Sequence, residues 1–156
     1  MDFRITGLPA AEFAPLHTLA DAELAQRGAL RCRVDAEPGF PCRVSLRDAA
    51  LGEQVLLVNY EHLPVATPYR SRHAVYVRQA AQEARLAPNE IPGMLARRLL
   101  SLRAFDARGM MIDADVFEGG ALAQGIRRLL GAAAASYLHV HFAKRGCYAA
   151  RVERLA

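Results

Sequence analysis

The chain has 156 residues, of which 53% are hydrophobic and 23% charged, the balance of about one ordinary folded domain and not of a disordered segment. No apolar run nears the roughly twenty residues of a membrane span, and MDFRITGLPA lacks the apolar stretch of a signal peptide, so a cytoplasmic protein is expected. The formal charge of +4 comes from 20 basic and 16 acidic residues; the basic ones, all arginine except Lys144, are scattered among acids with no basic block and no tryptophan, which argues against a nucleic-acid surface.

Phe3 to Thr6 reads as a short strand, followed by a turn at Gly7 to Pro9 and a brief helix broken near Pro15. Asp21 suits an N-cap and Gly28 a stop for a helix over Ala22–Arg27. Residues 29–34 then read as a strand. Glu37-Pro38-Gly39-Phe40-Pro41 is a rigid turn that delivers Cys42–Leu46 as another. Gln54–Tyr60 is apolar on both faces over Val55 to Val58 and is expected to be a central, buried strand. His62 to Pro68 is a loop, His73–Arg78 a strand, and residues 79–92, with Pro88, Asn89 and Pro92, a surface excursion within one domain. A short helix at Gly93–Arg97 precedes a hairpin in which Ala107-Arg108-Gly109 joins LLSLRAFD to MMIDADV. A three-residue loop places Arg103 opposite Asp113 and Ser101 opposite Asp115, which predicts a cross-strand ion pair.

Gly119-Gly120 opens the best helix, Ala121 to about Ala135, with Leu122, Ile126, Leu129 and Leu130 on one stripe. It leads into SYLHVHFAKRGCYAARVER, a second hairpin. A loop over Lys144-Arg145-Gly146 sets Phe142 opposite Tyr148, His141 opposite Ala149 and His139 opposite Arg151. One face is then Leu138, Val140, Phe142, Tyr148, Ala150 and Val152; the other carries Tyr137, His139, His141, Cys147, Arg151 and Glu153. The expected architecture is α+β: an antiparallel or mixed sheet of about seven strands with two or three short helices, ending in a β-hairpin, as a single domain over 1–156.

The second hairpin holds the candidate site. His139-x-His141 points two imidazoles the same way, about 7 Å apart by strand rise, a geometry used for zinc. Arg151 opposite His139 would repel a cation, so no metal ligand or cofactor is assigned, and metal binding through His139 and His141 stays a lesser alternative. Cys147 beside His139 or His141 has the residue types of a thiol nucleophile and its base. These three are the candidate catalytic residues. Asn59-Tyr60-Glu61-His62 marks the chain leaving the core, and Tyr69-Arg70-Ser71-Arg72-His73 enters the next strand. With Arg43 and Arg151 the latter forms a possible anion cradle. Arg151, His62, Arg43, Arg70 and Tyr148 are therefore the candidate substrate-binding residues. Each of these groupings also has a structural reading, as hydrogen-bonding core histidines or solvated loop charge. Three cysteines, at 32, 42 and 147, form no CxxC pair and argue against a disulfide framework.

GxGxxG after a strand, GxxxxGK[ST], GxSxG, HExxH and paired CxxC are all absent from the sequence, so the easily read enzyme classes do not apply in their usual form. The strings PGFPCRVSL, VLLVNYEH, PYRSRHAVYV, LSLRAFDARGMMIDADV and HVHFAKRGCYAARV together resemble the bacterial domain of unknown function 1203 family. That resemblance implies a bacterial protein of this size and supplies no catalytic residues. Two readings of function stay open: binding or conversion of a small anionic metabolite, and a non-catalytic interaction module, with homodimerisation through exposed strand edges.

Overall fold

Most of the expected strands form, but they divide into two five-stranded sheets where one sheet of about seven was expected; the computed structural model describes residues 1–155. The first sheet aligns β1 (Phe3–Thr6), β10 (Tyr148–Arg154), β9 (Tyr137–Phe142), β7 (Leu99–Phe105) and β8 (Met111–Glu118) in that order, all antiparallel. The second aligns β2 (Ala29–Arg33), β5 (Gln54–Leu63), β6 (Ser71–Arg78), β3 (Pro41–Cys42) and β4 (Arg47–Asp48). The division follows from residues 79–92. Ala84 N–H donates to the Val44 carbonyl and Asn89 N–H to that of Phe3, so this proline-bearing excursion carries the chain away from β6, and β7 starts beside β9 instead.

Leu122, Ile126, Leu129 and Leu130 of α3 (Leu122–Leu130) pack on Leu102, Leu138, Val140 and Val152 of the first sheet, as the stripe predicts. Each such buried side chain contributes about 1.5–3 kcal/mol of transfer free energy. Gly119, in the single tight turn ahead of α3, lies so close to the end of α2 (Gly93–Ala96) that a Cβ would stand 2.3 Å from the carbonyl oxygens of Leu95 and Ala96. Leu56, Val58, Val75 and Val77 of the second sheet form a separate core with Phe13 and Leu24.

Several local expectations are corrected. Asp21 lies one residue inside α1 (Asp21–Gln26); Ala20 is the N-cap, its N–H donating to Glu23 Oε2 at 2.9 Å, while Asp21 pairs with Arg31 at 3.0 Å. Cys42–Leu46 is not a continuous strand, because the chain turns after Cys42 to bury Arg43, and Leu46 takes a left-handed φ of 52°. In the β7–β8 hairpin the three-residue loop forms, with Phe105 opposite Met111, but a β-bulge at Ile112 then slides the register by one. Arg103 faces Ala114, so the expected Arg103–Asp113 pair is absent, and Asp115 pairs with Arg128 on α3.

The last hairpin departs in the opposite sense. Gly146 N–H donates to the Phe142 carbonyl and Phe142 N–H to that of Cys147, so the loop is one residue longer than expected, Ala143 to Gly146. Tyr148 consequently stands opposite His141, and a bulge at Ala149 restores the expected pairs Val140–Ala150, His139–Arg151 and Leu138–Val152. Bulges recur where a strand must re-aim a side chain. Here the bulge moves Tyr148 onto the histidine face.

Candidate functional site

Alternation along β9 sends Leu138, Val140 and Phe142 toward the helices and Tyr137, His139 and His141 toward the second sheet. Both imidazoles are buried, at 1% and 0% exposure. His62 meets them from β5. It is the extra residue of a third bulge, between the Glu61–Arg72 and Leu63–Ser71 pairs. His73, on the neighbouring strand β6, completes a group of four histidines.

Ring geometry ties the group together. His62 stacks on Tyr148 with centroids 4.7 Å apart and lies nearly coplanar beside His73 at 4.8 Å, while His139 and His141 meet it edge-on at 5.4 and 5.2 Å. His62 Nε2 lies 2.6 Å from His73 Nδ1, and His62 Nδ1 lies 3.4 Å from His139 Nδ1. His141 Nδ1 stands 2.9 Å from the Gly146 carbonyl oxygen. A carbonyl only accepts, so this nitrogen carries the proton and Nε2 of the neutral ring keeps its lone pair. Nε2 is buried without a hydrogen-bond partner.

Burial is the main reason that these imidazoles are neutral, since desolvation disfavours the imidazolium. It depresses His139 to about 2, and His62 and His141 to about 3, with neighbouring histidines and Arg103 acting in the same direction. His73 is lowered too, by burial and then by Arg103 and Arg43. Arg103, cross-strand from His139, makes no ion pair among the described residues, and its guanidinium makes a long 3.5 Å hydrogen bond to Ser101 Oγ.

A cleft of about 810 Å³ opens beside this group, lined by Arg97, Arg98, Lys144 and Arg145, with Arg43, His73 and Cys147 also on its walls. Arg43 is 1% exposed and stitches the second sheet to the hairpin: Nε donates to the Tyr148 carbonyl at 2.8 Å, Nη1 to that of Pro41 at 2.5 Å, and Nη2 to Cys147 Sγ at 3.1 Å. Its guanidinium also sits 4.9 Å from the Phe142 ring centroid. No carboxylate pairs with it among the described residues. Burial lowers its pKa, opposed in part by Cys147 and Cys42.

Of the residues singled out in the sequence, His62, His139, His141 and Tyr148 come together. Arg43 and Cys147 form a neighbouring unit on the cleft wall; Cys147 leaves the histidine face because of the longer loop and packs on the helix side of the sheet. Arg151 stays cross-strand from His139, but its guanidinium lies 3.7 Å from the Tyr137 ring centroid and pairs with Glu153 at 2.8 Å. Arg70 is exposed and paired with Glu61. The sequence places His73 in the Tyr69–His73 cluster of a possible anion cradle and not with the other histidines, and it assigns Arg103 to a carboxylate. The pairing of β5 with β6, which sets Tyr60 against His73, was the available signal for the first.

The chain belongs to the family described as Protein of unknown function (DUF1203), which matches residues 39–154 and so includes the four grouped histidines and the charged residues of the cleft. No curated protein and no solved structure matches it. Among the described residues no helix is long and apolar enough to cross a membrane.

Proposed function

We propose that the protein binds a small anionic metabolite in the cleft beside the C-terminal hairpin. The observation that carries this reading is charge: Arg43, Arg97, Arg98, Lys144 and Arg145 line the cleft against Glu118 alone. Asp48 is shared by Arg97 and Arg98, at 3.7 and 2.5 Å, while Lys144 and Arg145 make no ion pair among the described residues. Guanidinium groups gathered in a concave site favour carboxylate or phosphate, and the volume suits a small molecule. In this reading His73 and Cys147 are the cleft residues best placed to act on the ligand, and His139 and His141 lie behind them.

Thermal-shift titration with inorganic phosphate, citrate and a sugar phosphate tests the proposal, against sodium chloride at equal ionic strength. Binding raises the midpoint by mass action, and the double substitution Lys144→Glu with Arg145→Glu removes the rise. If no anion outperforms chloride, or the double variant responds equally, the reading is wrong.

Pairing of two copies is the second reading, favoured by β8. This eight-residue strand is an edge of the first sheet and exposes Ile112 and Val116, 41% and 53% accessible. Light scattering that returns a monomer mass at high concentration would end it.

A further inference from the structure

We propose that His62, His139 and His141 form a binding site for a divalent first-row transition ion, with zinc the default occupant. One ring nitrogen from each lies within 4.8 Å of the others, and three strand positions supply them: two alternate residues of β9 and the bulge of β5. The site is separate from the anion cleft and does not depend on it.

Three independent features point to a metal. First, Zn–N bonds of about 2.0–2.1 Å at tetrahedral angles place ligand nitrogens roughly 3.3–3.4 Å apart. His62 Nδ1 and His139 Nδ1 already stand 3.4 Å apart. Second, the hydrogen bonds fit a ligand tautomer for two rings. His141 spends its N–H on the Gly146 carbonyl and leaves Nε2 buried and unpartnered. The 2.6 Å contact between His62 Nε2 and His73 Nδ1 is compatible with the tautomer in which His62 donates Nε2–H, and in that tautomer the His62 Nδ1 lone pair is available to the ion. Metal-bound imidazoles regularly give their second nitrogen to a carbonyl or other acceptor in this way. Third, an all-imidazole donor set suits zinc, copper, nickel or iron and disfavours calcium and magnesium.

Nearby positive charge comes from Arg103 and Arg151, and Arg151 opposes the ion less than alternation suggested. Arg151 is compensated by Glu153 and lies over Tyr137. Arg103, the uncompensated cation facing the group, is placed to hold an anionic fourth ligand such as hydroxide or a carboxylate. Three protein ligands with one open position is the arrangement of catalytic zinc sites, and closed structural sites use four.

The test uses full-length protein purified without a polyhistidine tag, stripped with EDTA and titrated with Co²⁺ and Zn²⁺. One ion per chain, with the visible absorption of tetrahedral Co²⁺ and displacement by Zn²⁺, is expected. His139→Ala and His141→Gln weaken binding by at least roughly a hundredfold, whereas His17→Ala, the one histidine outside the group, leaves it unchanged. Wild-type protein that takes up less than about a tenth of an ion per chain overturns the proposal. So does His141→Gln with wild-type affinity. The Co²⁺ spectrum of the wild type decides the matter even if a variant fails to fold.

Discussion

Acidification of the metal-free protein from pH 7 to pH 5 gives the most quantitative test of the buried histidine group. His139 and His141 are 1% and 0% exposed and are held at about 2 and about 3, from an ordinary value of 6.5. Within this window the unfolded chain binds protons at these two positions and the folded chain does not, so stability is fully present above pH 6.5 and falls as pH drops below it. Linkage gives about 1.9 kcal/mol for each residue over the two units, or about 4 kcal/mol for the pair. The figure hardly depends on the folded values, since anything below about 4 lies outside the window. His62 acts with the same sign but is more open to water and adds less. Carboxylates titrate mainly below pH 5, which isolates the histidine contribution. Urea unfolding in EDTA, with slopes held common across pH, measures the loss. A change under about 1 kcal/mol between pH 7 and 5 would refute the claim that these imidazoles are desolvated.

Other substitutions report on the scaffold. Arg43→Ala leaves the Tyr148 and Pro41 carbonyls without their buried donor, and a loss of about 3–5 kcal/mol is expected in denaturant melts; a loss below 1 would mean that water replaces the guanidinium. Gly119→Ala drives a methyl into the Leu95 and Ala96 carbonyls and should lower the thermal midpoint by several degrees, about 1–3 kcal/mol, with Gly120→Ala, where a Cβ meets nothing within 4 Å, as the neutral control. Leu138→Ala opens a cavity under α3 and should cost about 2–5 kcal/mol by the same measurement.

Much of this arrangement is legible in the chain, and the illegible parts have two causes. Alternation over Leu138 to Phe142 identifies both faces of β9, and the spacing of Leu122, Ile126, Leu129 and Leu130 identifies the buried side of α3. The three bulges, at His62, Ile112 and Ala149, are single-residue slips that local composition does not signal. They decide that Tyr148 and not Cys147 meets the histidines, that His62 joins them, and that Arg103 is released from Asp113. The split into two sheets was hidden for another reason. It depends on where the excursion over 79–92 spends its backbone hydrogen bonds, a tertiary fact with no periodic trace.

The extra residue in the loop over Ala143 to Gly146 gives the fold a means of changing its chemistry through insertion or deletion. Shortening that loop by one residue would remove the need for the bulge at Ala149, turn Tyr148 toward the helix side and bring Cys147 round to the face of His139 and His141. An imidazole-only donor set would then acquire a sulfur ligand. Relatives that differ by one residue at this hairpin would therefore differ in metal preference while the strand order stays the same.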